Sequence, residues 1–75
     1  MDRNTELYQK MQAELEQFKD WLLTQPPQEI LNHTYEYTTK EDILLVFENF
    51  DLSEKQAQAL LAQPMPLDEI FHAYE

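Results

Sequence analysis

Among the side chains that could do chemistry, Glu69 and His72 have the most suggestive spacing. Glu-x-x-His puts both groups on one face of a helix, the arrangement used in di-iron carboxylate bundles. Such a site needs a second copy of the motif and two further glutamates. Here Glu29 and His33 stand four apart, and these are the only two histidines. Zinc, with its three or four N, S or O ligands, meets the same shortage. The acid pairs Glu41-Asp42 and Asp68-Glu69 could support acid–base catalysis, but both fall at expected helix starts, where the helix dipole favours carboxylates. Ser53 heads a capping sequence and not a strained nucleophile turn. No catalytic, cofactor-binding or metal-ligating residue is assigned, and the chain reads as a non-enzyme without a cofactor.

What the sequence lacks narrows the function further. Cysteine is absent, which removes a disulfide framework, a thiolate zinc site and a cysteine nucleophile, and suits a cytoplasmic setting. Glycine is absent, so tight hairpins, a P-loop and a dinucleotide fingerprint lose their usual supplier of positive φ. Net charge is −10, with fifteen acids against five bases. That excess repels nucleic acid and anionic membranes and favours solubility or a basic partner. No apolar run is long enough to cross a bilayer, and no leader opens the chain. A chain of 75 residues buries only about 60% of its unfolded surface. A core so thin leaves little room for a ligand pocket of about 300 Å³ or more.

The remaining candidates are contact residues: Trp21, His33, Glu36 and Tyr37. Each has two readings. Trp21, at the end of the first helix, either packs near Pro26 and Pro27 or stands exposed as part of a binding patch. Tyr35 is expected to pack and Tyr37 to hold its hydroxyl in water at a helix end; the alternative is an aromatic anchor for a partner. Asn32 and His33 either bond loop backbone at a nearby helix break or form a polar contact surface.

Positioning these residues falls to helices, because no strand pattern survives. Asn4 or Thr5 caps a first helix with Leu7, Met11, Leu15, Phe18 and Leu22 on one face, while Glu6, Lys10, Glu14, Glu16 and Lys19 look solvated. Pro26 and Pro27 end it near Thr24 or Gln25, and Pro27 opens the next. That second helix carries Ile30, Leu31 and Tyr35 on an apolar stripe and is expected to break around Tyr37 to Thr39, where Thr38-Thr39-Lys40-Glu41 reads as a capping box. A third helix, apolar on nearly every side from Ile43 to Phe50, is expected at the centre of the fold. Ser53-Glu54-Lys55-Gln56 caps a fourth, with Leu52 stapling to Ala57 and with Ala57, Leu60 and Leu61 inward. The last starts near Pro66 or Leu67 and turns Leu67, Ile70, Phe71 and Tyr74 to the core. The fold class is therefore all-α, a bundle of four to five short helices in one domain. The helical pattern still runs at Glu75, as expected either of a frayed end or of the front part of a longer protein.

From Thr5 to Glu75 the chain resembles a domain family of unknown function from gut Firmicutes, often found in proteins encoded on mobile elements. The resemblance rests on Thr5-Glu6-Leu7-Tyr8, the long run from Pro26 to Thr38, Glu41-Asp42-Ile43, Leu52 to Ala57, Leu60-Leu61 and Pro66-Leu67. It implies a bacterial, cytoplasmic protein and supplies no catalytic residues. The leading expectation is a protein-interaction or regulatory module, monomeric or weakly self-associating, that binds neither nucleic acid nor membrane. The alternative is an acidic mimic of DNA that inhibits a nucleic-acid enzyme of the restriction or CRISPR type.

Overall fold

The apolar spacing at the front of the chain sets the first helix. A computed structural model, which describes residues 2–74 and the side chains of 2–73, shows four helices and no strand among the described residues. They are α1 (Arg3–Leu22), α2 (Pro27–Asn49), α3 (Glu54–Leu61) and α4 (Pro66–Tyr74). On α1 the expected stripe is the buried one: Leu7, Met11, Leu15 and Leu22 are buried and Phe18 packs beside them. The helix begins earlier than a cap at Asn4 or Thr5 would place it. Asp2 takes that position, its Oδ1 accepting from the Thr5 amide at 2.8 Å. This bond holds the Asp2 carboxyl below its ordinary range. Asn4, now inside the helix, pairs its side-chain amide with the Leu52 carbonyl and amide at 3.0 and 2.9 Å. The start of α1 is thereby tied to the segment that joins α2 to α3.

The largest departure from the sequence reading is in α2. The expected break at Tyr37 to Thr39 does not occur, and one helix runs unbroken from Pro27 to Asn49. Thr38-x-x-Glu41 matches a capping box, but beyond Pro27 the helix contains neither proline nor glycine. Propagating a helix costs far less than nucleating a second one. Continuity also settles the register. Tyr37 shares a face with His33, Lys40 and Leu44, so it is Tyr37 that packs on the core, while Tyr35 is exposed. Leu31 is exposed with it.

The second correction concerns the centre. The apolar stretch from Ile43 to Phe50 is not surrounded by other helices. Ile43 and Leu44 are buried, yet Leu45, Val46 and Phe50 are largely exposed. The central element is α1, which packs against each of the other three, while α2 packs against α1 and α4. The core joins Leu7, Met11 and Leu15 to Ile43 and Leu44, Ala57, Leu67 and Phe71. Each large aliphatic member contributes about 1.5–3 kcal/mol through burial.

At α3 the sequence reading holds. The Ser53 hydroxyl accepts from the Gln56 amide at 3.2 Å, and the Gln56 side chain accepts from the Ser53 amide at 3.3 Å. Leu52, Leu60 and Leu61 pack on the core around buried Ala57. Leu67 and Phe71 of α4 are buried with Ile70 beside them, and the inward placement expected of Tyr74 lies outside the described side chains. No described residue has positive φ, so the missing glycines are not needed at the helix ends. No helix among the described residues is long and apolar enough to cross a membrane.

Candidate functional site

Two charged residues of α1 that read as solvated instead hold the ends of other helices. Lys10 Nζ donates to the carbonyls of Leu61 and Gln63 at 2.9 and 2.7 Å, where α3 ends. One turn along, Glu14 accepts from the amides of Leu67 and Asp68, both at 2.9 Å. A cation thus meets the orphan carbonyls at one helix end, and a carboxylate meets the orphan amides at the start of the next. Their i,i+4 spacing on α1 fixes the α3–α4 connection through Pro64-Met65-Pro66.

Beside Glu14 sits Lys40, the one buried charged side chain among the described residues, at 3% exposure. Its ammonium donates to Glu36 at 2.8 Å and Asp68 at 3.2 Å, and lies 4.6 Å above the Phe18 ring. Asp68 also meets His72 at 3.2 Å through its other oxygen. His72 is therefore paired within α4 to Asp68 and not to Glu69. Among the described residues no group of three or more potential metal ligands is gathered.

The four contact candidates come together at the end of the α1–α2 seam. Trp21 stacks on Phe18 with ring centres 6.0 Å apart, and His33 meets Trp21 edge-on at 5.4 Å. Tyr37 lies 6.4 Å from Phe18. His33 reaches Glu36 at 3.4 Å and Glu29 at 3.6 Å. The His33 ring thus bonds side chains along a continuous helix, not the loop backbone expected at a break. Asn32 accepts from Gln28 at 3.5 Å. Within this cluster Glu36, His33 and Tyr37 are half-buried and engaged internally, and only Trp21 is open to solvent, at 46%.

A different surface carries several of the exposed large apolar side chains. Along the outward face of α2, Leu31, Tyr35 and Val46 fall at helical spacing and Phe50 follows just past its end, with Tyr35 68%, Val46 57% and Phe50 59% exposed. Between this face and α4 lies an open groove of about 430 Å³, lined by Tyr35, Asp42, Val46, Phe47, Phe50 and Ile70. A second groove of about 490 Å³, with more charged residues along it, runs past Lys10, Glu14, Glu36, Lys40 and Asp68. Both exceed what so thin a core led us to expect. They are furrows between helices, not cavities inside one.

The sequence profile of a family described as a protein of unknown function (DUF3848) matches residues 3–75. The chain belongs to that family. No curated protein and no solved structure matches it. The span shared with DUF3848 takes in all four helices, the Lys40 cluster and both walls of the apolar groove.

Sequence reasoning missed Lys40, Lys10 and Glu14, because a lone charge on a helix normally marks a solvated face. Glu36 at i−4 from Lys40 was visible, but its second anion, Asp68, is 28 residues away. It also missed the α2 groove. The signal was present: the stretch from Ile43 to Phe50 holds more apolar side chains than one helix face can bury. We read that surplus as a central position when it is in fact a surface.

Proposed function

We propose that this chain is a non-enzymatic protein-binding module of the cytoplasm. The observation that carries this reading is the exposed apolar stripe of α2 and the groove it forms with α4. Small soluble domains rarely leave a large contiguous apolar patch uncovered unless something docks there. The convergent polar groups support the same reading, since Lys10, Glu14, Lys40 and Asp68 are all committed to holding helices together. The same commitment weighs against a surface that acts by charge alone, because Glu14, Glu36 and Asp68 are not available as a row of free carboxylates. The lack of cysteine suits a reducing compartment.

Site-resolved photo-crosslinking in cells tests this. A photoreactive residue at Val46 or Phe50 is expected to give a discrete adduct with another protein. The same residue at Gln12 or Gln58, exposed on α1 and α3, is expected to give none. Adducts absent from the α2 positions, or equal at all four, would overturn the reading.

A further inference from the structure

We infer that the α2–α4 groove takes one face of a basic amphipathic helix from another protein. This rests on the protein-binding reading above and names its occupant. Three observations combine.

The first is shape. From Tyr35 to the end of α2 at Asn49 the groove wall extends for roughly 21 Å at 1.5 Å per residue, about four helical turns, with Tyr35 at one end, Val46, Phe47 and Phe50 at the other, and Thr39 and Asp42 between them. The groove beside it is bounded by two helices, with Ile70 on the far wall. A furrow of this length accepts the i, i+3, i+4, i+7 stripe of a partner helix.

The second is charge. The two helices that build the groove carry seven acids and a single lysine, and that lysine, Lys40, is buried and paired. Asp42 lines the groove itself. The side chains of Asp42, Glu41 and Glu48 of α2, with Asp51 just beyond it, make no hydrogen bond or ion pair among the described residues; Asp42 faces the groove, while Glu41, Glu48 and Asp51 line furrows between α2 and α1. A second copy of the chain would bring the same negative surface against itself, each with a net charge of −10. A helix bearing lysine and arginine beside its apolar stripe removes that repulsion.

The third is the chemistry of the exposed rings. Tyr35 and Phe50 flank the groove, and their faces attract cations. Long basic side chains can lay their methylene stems on Val46 and Phe50 while a head group reaches Asp42.

The probe is a labelled synthetic peptide of about 18 residues, roughly 27 Å as a helix, with leucine on one helical face and lysine on the other. Two comparison peptides have the same composition scrambled, or glutamate in place of lysine. Binding to the whole chain is followed by fluorescence anisotropy, and the contact surface is mapped by amide chemical-shift changes. The ordered basic peptide is expected to bind, with shifts centred on Tyr35, Asp42, Val46 and Ile70. Val46→Glu and Phe50→Glu are each expected to weaken it about tenfold or more, as loss of a central anchor does. Gln58→Glu adds the same charge on α3 and is expected to leave it unchanged. Both groove positions are already exposed, and the shift map reports on the native chain if either variant misfolds. Equal binding of the scrambled peptide would replace the groove with recognition by bulk charge. Binding lost with Trp21→Ala but kept with Val46→Glu would move the site to the Trp21 cluster. A dimer abolished by Val46→Glu, without peptide binding, would make a second copy the occupant. Each of these outcomes overturns the inference. Adducts at Val46 in cells, with no binding of the basic peptide, would overturn this occupant and leave the protein-binding reading standing. Silence in both experiments would remove the two together.

Discussion

A lysine taken almost wholly out of water destabilises the fold unless anions meet it. Lys40 is met by two, Glu36 and Asp68, each still partly in contact with solvent. Removing the anions and removing the cation therefore have different consequences. The double change Glu36→Gln with Asp68→Asn strands a buried ammonium and is expected to cost roughly 2–4 kcal/mol. Lys40→Met keeps the stem against Phe18 and leaves two carboxylates that water can still reach. It is expected to fall within about 1 kcal/mol of the parent. Adding Lys40→Met to the double variant should then recover most of the loss. Urea unfolding followed by circular dichroism reads all three. A Lys40→Met loss as large as that of the double variant would mean that the ammonium is itself a net stabiliser. This arrangement was only partly legible in the sequence. Glu36 stands one turn before Lys40, but Phe18 and Asp68 reach it only through the packing of α1 and α4 on α2.

At the scale of elements, the same signature was right once and wrong once. Ser53-x-x-Gln56 begins a helix, whereas Thr38-x-x-Glu41 lies inside one. Local spacing cannot separate the two, because a Thr and a Glu three apart on a running helix satisfy the same pattern. The context differs: extended Phe50 and two further residues outside any helix precede Ser53, while eleven helical residues precede Thr38. Substitution by alanine separates the two roles. Ser53→Ala is expected to cost about 1 kcal/mol, the usual loss of a helix cap. Thr38→Ala is expected to be neutral or to stabilise by up to about 0.7 kcal/mol, because alanine is the better helix former at an exposed interior position. Urea midpoints of the two variants check this, and a Thr38→Ala loss comparable to that of Ser53→Ala would restore the break. The α1 stripe, the proline boundary and the apolar faces of α3 and α4 were legible because periodicity fixes them locally. The exposed α2 face was not, because which side of an all-round apolar helix is left open depends on how many neighbours the chain can supply. Among the described residues there are three other helices, two of them of eight and nine residues, and they leave that face uncovered.

Over the whole molecule, ten excess negative charges sit on a body of 40 × 22 × 20 Å. Three of the five bases, Arg3, Lys10 and Lys40, are drawn into bonds with the chain's own groups. The unpaired acids therefore repel one another in the folded state more than in the extended chain. At about 0.01 M salt the screening length is roughly 30 Å, so the repulsion spans the molecule; at about 0.15 M it is roughly 8 Å and the repulsion is local. Sodium chloride should consequently stabilise the fold. A gain of about 1 kcal/mol would raise Tm by roughly 4–8 °C in a domain of this size. The favourable ion pairs do not reverse the sign: Arg3–Glu54 is exposed and contributes little, and Lys40 is shielded from the added ions. Chloride is the anion to use, since sulfate would strengthen apolar burial and mimic the effect. Binding of a basic helix should respond in the opposite direction, weakening as salt rises while its apolar contacts persist. Calorimetry and anisotropy across one salt series read both slopes. A Tm that falls with sodium chloride would mean that attractive pairs, and not self-repulsion, dominate the folded surface, and the electrostatic case for a basic partner would lose its foundation.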